Sequence, residues 1–190
     1  MRKMFASLMI FVMFFSIFPF TITPVMAGYN GSEADAISYP LYAGQTILIG
    51  EVLVWNDDTT LYVKYVINVT TDDWYITEIH IDIGTSCAPG GGIPQTLPNK
   101  QGKGGGNPIP GQFEIADFFN PPTHETDPYT FDLEANDLNL GDSVCIAAHA
   151  VIQNSNCHHQ QQQTAWGGEE EFSGANWATC IEYELQGVPV

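Results

Sequence analysis

The sequence predicts an all-β fold, an antiparallel two-sheet β-sandwich of jelly-roll type carrying two long loops. Three observations predict it. Segments rich in aromatic and β-branched residues recur between turn-rich breaks, several alternate apolar with polar positions, and nothing between them holds a helical period. A closed barrel is the alternative arrangement of the same strands.

The chain opens with Met1-Arg2-Lys3, runs through an apolar stretch from Met4 to Phe20, and reaches Val25-Met26-Ala27. A basic start, an apolar centre and small residues before the break make residues 1–27 a secretory signal peptide, with cleavage expected after Ala27. The rival reading is a retained N-terminal anchor. No second hydrophobic span follows, so after cleavage no membrane attachment is expected, and residues 28–190 read as a single β-sandwich domain. Residues 28–44, polar and glycine-containing, read as an N-terminal arm free to lie along a neighbouring subunit's sheet edge.

Strands are expected at 46–55, 60–69, 74–84, 112–119, 129–133, 143–152 and 178–185. Asn56-Asp57-Asp58 and Thr71-Asp72-Asp73 supply turn chemistry between the first three, which predicts a three-stranded antiparallel meander. Alternation assigns the faces. Ile79, Ile81 and Ile83 point to the core with Thr77, leaving Glu78, His80 and Asp82 wet; Val144, Ile146, Ala148, Ala150 and Ile152 do likewise, leaving Cys145 and His149 outside. Two irregular insertions interrupt the pattern, Thr85 to Gly111 and Asn154 to Asn176, and loops of such length are usually functional or disordered.

The formal charge is −17, and loss of Arg2 and Lys3 with the leader leaves 22 acidic residues facing only Lys64, Lys100 and Lys103. Such a field repels nucleic acid and anionic lipid and attracts cations or basic partners; it also serves solubility. Calcium is the cofactor this favours, with Asp57, Asp58, Asp72, Asp73, Asp137 and Asp142 as candidate ligands in the acidic turns. None of these turns follows the EF-hand order, so the signal is compositional.

Four cysteines in an exported chain form an even set, and disulfides are expected outside the cytosol. Cys87 and Cys157 lie in the long insertions while Cys145 and Cys180 lie in strands. Like-with-like pairing gives Cys87 with Cys157 and Cys145 with Cys180, one of three pairings that the sequence permits. An oxidised Cys157 makes the neighbouring His158 and His159 a polar loop rather than a zinc site. A better-spaced candidate metal set is Glu78, His80 and Asp82, two apart on one strand face, although any exposed sheet face alternates polar residues. Trp74, Trp166 and Trp177 are candidate stacking platforms for a glycan, with core packing as the competing role.

The blocks "VLVWNDDTTLYVKYVI", "WYITEIHIDIGTS", "IPQT", "GNPIPGQF", "IAAHAVI" and "TAWGGEEEFSGANWATCIEYEL" resemble a loosely characterised group of secreted β-sandwich domains of archaeal and bacterial surface proteins, over most of residues 46–185. Cys145 and Cys180 stand where that group has ordinary strand residues. The resemblance implies an extracellular module without a catalytic role. No nucleophile elbow, phosphate loop or dinucleotide fingerprint occurs. The expected function is therefore a secreted, non-catalytic cell-surface or extracellular-matrix protein acting in adhesion or assembly, stabilised by calcium, partnered by its own copies or other envelope proteins. A carbohydrate-binding module is the first alternative, and a metal-dependent extracellular enzyme the second.

Overall fold

The computed structural model describes residues 31–68, 74–98, 104–154 and 161–187. Its regular elements are β1 (Ile37–Ala43), β2 (Ile47–Asn56), β3 (Thr60–Ile67), β4 (Trp74–Gly84), β5 (Ile115–Thr123), β6 (Tyr129–Asp132), β7 (Ser143–Asn154), β8 (Gln161–Gly167), β9 (Glu170–Glu171) and β10 (Thr179–Glu184). Single 3-10 turns at Glu33–Asp35 and Pro110–Gln112 are the helical elements among the described residues. The all-β class stands as predicted.

The strands do not divide by pairing into two sheets. One antiparallel sheet runs β5-β4-β7-β8-β1-β2-β3-β6, with β10 also on β7 and β9 on β10. The sheet curls because its two ends are consecutive in the chain. Beyond β5, Ile67 N–H donates to His124 O at 2.7 Å and Thr126 N–H to Tyr65 O at 3.1 Å, so residues 124–126 already lie along β3 before β6 begins. The segment from β5 to β6 thus passes from the β4 edge to the β3 edge, and Tyr129 Oη donates to Asp117 at 2.8 Å across that passage. The result is an antiparallel sheet rolled into a half-barrel around its concave face.

The expected meander is corrected in its second half. β2 and β3 pair with Val54 opposite Val63, but β4 lies between β5 and β7, not beside β3. The turn at Thr71-Asp72-Asp73 lies outside the described residues. The N-terminal arm is corrected too: its residues 37–43 form β1, paired with β2 on one edge and with β8 on the other. Residues 41–43 are thus paired on both sides and residues 37–40 on the β2 side, so this stretch is part of the sheet rather than a detached arm. β8, inside the second expected insertion, is a further strand that alternation did not reveal.

The concave face holds the main core, built from Leu41, Val52, Val54, Leu61, Val63, Tyr65, Ile79, Ile81, Ile146, Ile152 and Ile181. A bulge in β4 between Ile76 and Glu78 fixes which residues reach it. Ile76 faces Ile152, Glu78 faces Val151, and Thr77 is the extra residue, its hydroxyl donating to Val151 O at 3.1 Å. The bulge shifts the parity of the strand, so Trp74 and Ile76 before it and Ile79, Ile81 and Ile83 after it all face inward.

Gly50 is required by a close approach. A Cβ there would stand 2.1 Å from Val66 O and 2.8 Å from Ile67 Cα, both backbone atoms of the paired strand. Gly50→Ala is expected to push β2 and β3 apart and lower stability by about 1–3 kcal/mol. A urea midpoint that does not move would contradict this.

Candidate functional site

The side chains with chemical potential gather on the convex face of β4, β7 and β10, under a roof formed by the two long insertions. β7 is buried from Val144 through Ala150 on both faces. Its neighbours share that burial: His80, Asp82 and His149 are 8%, 8% and 6% exposed. The expectation that Glu78, His80 and Asp82 form a wet face is therefore corrected. Glu78 itself stays partly open, and a second apolar cluster lies beside His149 through Trp166, made of Cys87, Ile93, Phe113, Cys145, Ala147, Trp166, Phe172, Ala178 and Cys180, with Trp177 packed against it.

The roof is held in two ways. The described parts of the first insertion, 84–98 and 104–113, are tied to each other and to themselves, with Thr85 N–H donating to Gly91 O at 2.7 Å and Thr96 N–H to Asn107 O at 2.8 Å. Asn107 then accepts from Asn176 N–H at 2.9 Å, which joins the first insertion to the second. Gly174 allows the approach, since a Cβ on it would lie 2.1 Å from Asn107 Oδ1. The covalent tie is a disulfide between Cys87 and Cys145, with Cα atoms 5.3 Å apart.

That bond replaces the expected pairings of Cys87 with Cys157 and Cys145 with Cys180. The sheet register explains it: Gly84 stands opposite Cys145 on β7, so the chain leaving β4 carries Cys87 back over that residue. Cys180 arrives from the other side of β7, where Ile181 pairs with Ile146. It is a buried free thiol, and burial first, then Glu182 and Glu170, push its pKa up to about 12. Cys157 lies outside the described residues.

His80 and His149 face each other across the β4–β7 ladder, with Nδ1 atoms 3.3 Å apart. His80 Nε2 lies 3.1 Å from Glu78 Oε1. If His80 donates from Nε2 to Glu78, its Nδ1 accepts the proton of His149 Nδ1, a chain that satisfies each group in turn. The His149 ring rests edge-on against Trp166 at 4.8 Å between centroids, and Trp166 in turn meets Phe113 and Phe172. From the concave side Tyr65 Oη donates to His149 O at 3.1 Å, tying β3 across the core to β7. Desolvation, helped by the charge of His80, lowers the His149 pKa to about 3.

The candidate metal set does not converge. Asp82 accepts from Ile83 N–H at 2.8 Å and Glu114 N–H at 3.1 Å, His80 is engaged with His149, and Glu78 with His80. Burial raises the Asp82 carboxyl despite those two backbone donors. Among the calcium candidates, Asp57 spends its carboxylate on the β2–β3 turn, accepting from Thr59 N–H, Thr60 N–H and Tyr62 Oη at 2.8 Å each. Burial would raise it, but these bonds outweigh that and hold it below its ordinary value. Asp58 and Asp137 line an open depression of about 500 Å³ with Asp132 and Glu134. Asp142 accepts from Asn139 N–H at 2.8 Å, and Asp72 and Asp73 lie outside the described residues. The donors that do converge among the described residues are sulfurs: Cys87, Cys145 and Cys180 lie within 4.8 Å of one another.

Of the three tryptophans, Trp74 and Trp166 are buried at 6% and 5%, which removes them as stacking platforms. Trp177 is half-buried. A shallow groove of about 610 Å³ crosses the outer side of β1 to β3, lined by Ser38, Pro40, Leu48, Gly50, Glu51 and Asn68. Sequence reasoning missed the His80–His149 pair and the sulfur cluster. The signal for both was "SVCIAAHAVI", a nearly unbroken apolar run that reads as a strand buried on two faces.

No family model matches the chain, and no curated protein matches it. A solved structure described as a "putative carbohydrate binding protein" from Bacteroides uniformis ATCC 8492 is similar at 12% identity and a TM-score of 0.34. The match covers 76% of this chain and 57% of that one, so this chain spans less than two thirds of its length. A likeness so slight assigns neither fold nor function.

The buried histidine makes stability depend on pH. Between its ordinary value of 6.5 and about 3, the unfolded chain binds a proton at His149 that the folded chain excludes. This contribution is complete above the ordinary value and is lost as pH falls towards the folded one. His149→Gln is expected to show a smaller drop in urea midpoint than the parent between about pH 7 and about pH 4. Equal drops would contradict the assignment.

Proposed function

We propose that the protein is an exported, non-catalytic surface module acting in adhesion or assembly. The observation that carries this reading is the unbalanced charge of its surface. Lys64 is the single lysine or arginine among the described residues. Its Nζ is consumed by Glu33 at 2.6 Å and by Glu125. Hydrogen bonds to Glu125 and then Glu33 raise its pKa and keep it charged inside this pair. Among the described residues, what remains outside is a field of carboxylates, suited to a cationic partner surface or to divalent cations shared between copies. Among the described candidates, Asp82 and His149 are buried and Asp57 holds a turn.

A disulfide fits an oxidising compartment, in agreement with the leader-like residues 1–27. No helix among the described residues is long and apolar enough to cross a membrane.

A glycan-binding role is a second reading, favoured by Trp177 alone, which is half-buried against the second apolar cluster. A glycan array separates the two. The adhesion reading expects no binder that is lost on Trp177→Ala.

Sedimentation velocity at fixed ionic strength tests assembly. Millimolar calcium is expected to produce larger species that a chelator reverses, whereas one unchanged slow species in both conditions would overturn calcium-linked assembly.

A further inference from the structure

A small apolar hollow lies on the outer side of the sheet at the start of β4. It holds about 300 Å³ and is lined by Tyr75, Pro121, Pro122 and Gln153. The strand ladders build it. Trp74 and Ile76 face the core, so Tyr75 between them faces out, directly opposite Gln153 on β7. On the other flank β5 leaves its register: Phe118 pairs with Glu78 and Thr123 with Ile76, so residues 119–122 stand outside the ladder and carry the two prolines as a ridge. Their fixed φ and missing N–H groups keep that ridge stiff and without donors. His124, which follows β5, braces the tyrosine, its ring 4.2 Å from that of Tyr75 between centroids.

The chemistry of the hollow is narrow. None of its lining residues is charged, in a chain of formal charge −17. Its polar side-chain groups are the Tyr75 hydroxyl and the Gln153 amide, and among the described residues neither has a hydrogen-bond partner. Both can donate to a carbonyl, while the tyrosine ring and the prolines offer apolar contact. A polyproline II segment matches that combination: about three residues per turn, no internal hydrogen bonds, solvated carbonyls and apolar rings. Being already extended, it loses little freedom on docking in an aromatic-lined groove. A pyranose fits less well, because the hydroxyls around its rim would be desolvated against Pro121 and Pro122.

We propose that the hollow between Tyr75 and the Pro121–Pro122 ridge binds a polyproline II segment of a partner protein, one with lysine or arginine beside its prolines. A proline ring of the partner packs on Tyr75 against the ridge, and neighbouring carbonyls accept from Tyr75 Oη and Gln153 Nε2. The basic flanks answer the carboxylate exterior, which attracts cationic segments and repels acidic ones. The proposal rests on the adhesion reading and supplies the chemistry of its partner.

The test titrates the full exported chain into a fluorescein-labelled proline repeat with arginine flanks and follows fluorescence anisotropy. A glycine–serine repeat with the same flanks controls for charge. The expected result is saturable binding of the proline probe, about tenfold tighter than the control, with about a tenfold loss in Tyr75→Ala. Gln153→Ala, which leaves the core intact, is expected to lose about two- to tenfold, the worth of one hydrogen bond, and serves where Tyr75→Ala does not fold. Equal affinity for the two probes, no saturable binding, or unchanged affinity in the folded variants would each overturn the proposal. So would a neutral oligosaccharide that displaces the proline probe. Calcium-linked assembly that persists beside such a result would leave the adhesion reading standing, so the two fail separately.

Discussion

The structure depends on the bond between Cys87 and Cys145, because it fixes a roof over a sheet that would otherwise have one wet face. In the chain-entropy account, closing a loop with a sequence separation of 58 stabilises the fold by about 4 kcal/mol. Domains typically retain only about 5–15 kcal/mol of net stability, so this is a large share. The bond also decides composition. With the roof in place, Ala147, Cys145 and His149 stand in an apolar layer, and β7 becomes a central strand packed on both faces.

Burying that second face carries polar groups inside, and most find partners, Gln95 Oε1 being the exception among the described residues. Asp82 takes two backbone donors, and His80 and His149 satisfy one another with Glu78 at the outer end. On the far side of the sheet Asn56 closes a similar account. Its Oδ1 accepts from Tyr183 Oη at 2.8 Å and Gln186 N–H at 2.9 Å, while its Nδ2 donates to Asp57 O and Gln186 O. A buried polar group left unmatched costs about 1–3 kcal/mol, so such networks specify one register of the strands. The same networks remove these side chains from outside chemistry, which is why the functional reading rests on the exterior charge.

Much of this architecture was legible in the sequence. The strands around "LIGEVLVW", "TLYVKYVI" and "WYITEIHIDIG" followed from apolar alternation and lie close to their expected bounds. β1 and β8 were hidden, the one by Ser38 and Pro40, the other by the glutamines at 161–163, because polar positions on a strand edge or outer face leave no period to read. The pairing of β4 with β7 rather than β3 depends on contacts distant in the chain, which local patterns do not encode. The disulfide follows from that pairing. His80 and His149 looked like isolated surface histidines for the same reason: only the ladder that sets them opposite each other makes them a pair. The parity change at Thr77 came from a bulge that alternation alone does not mark.

The most direct measurement is peptide mapping of the exported protein, alkylated before unfolding and digested without reductant. The account predicts a peptide pair joined through Cys87 and Cys145, with Cys180 recovered as a thiol. Recovery of Cys87 joined to Cys157, or of Cys145 joined to Cys180, would contradict it and leave the convex face without its tie.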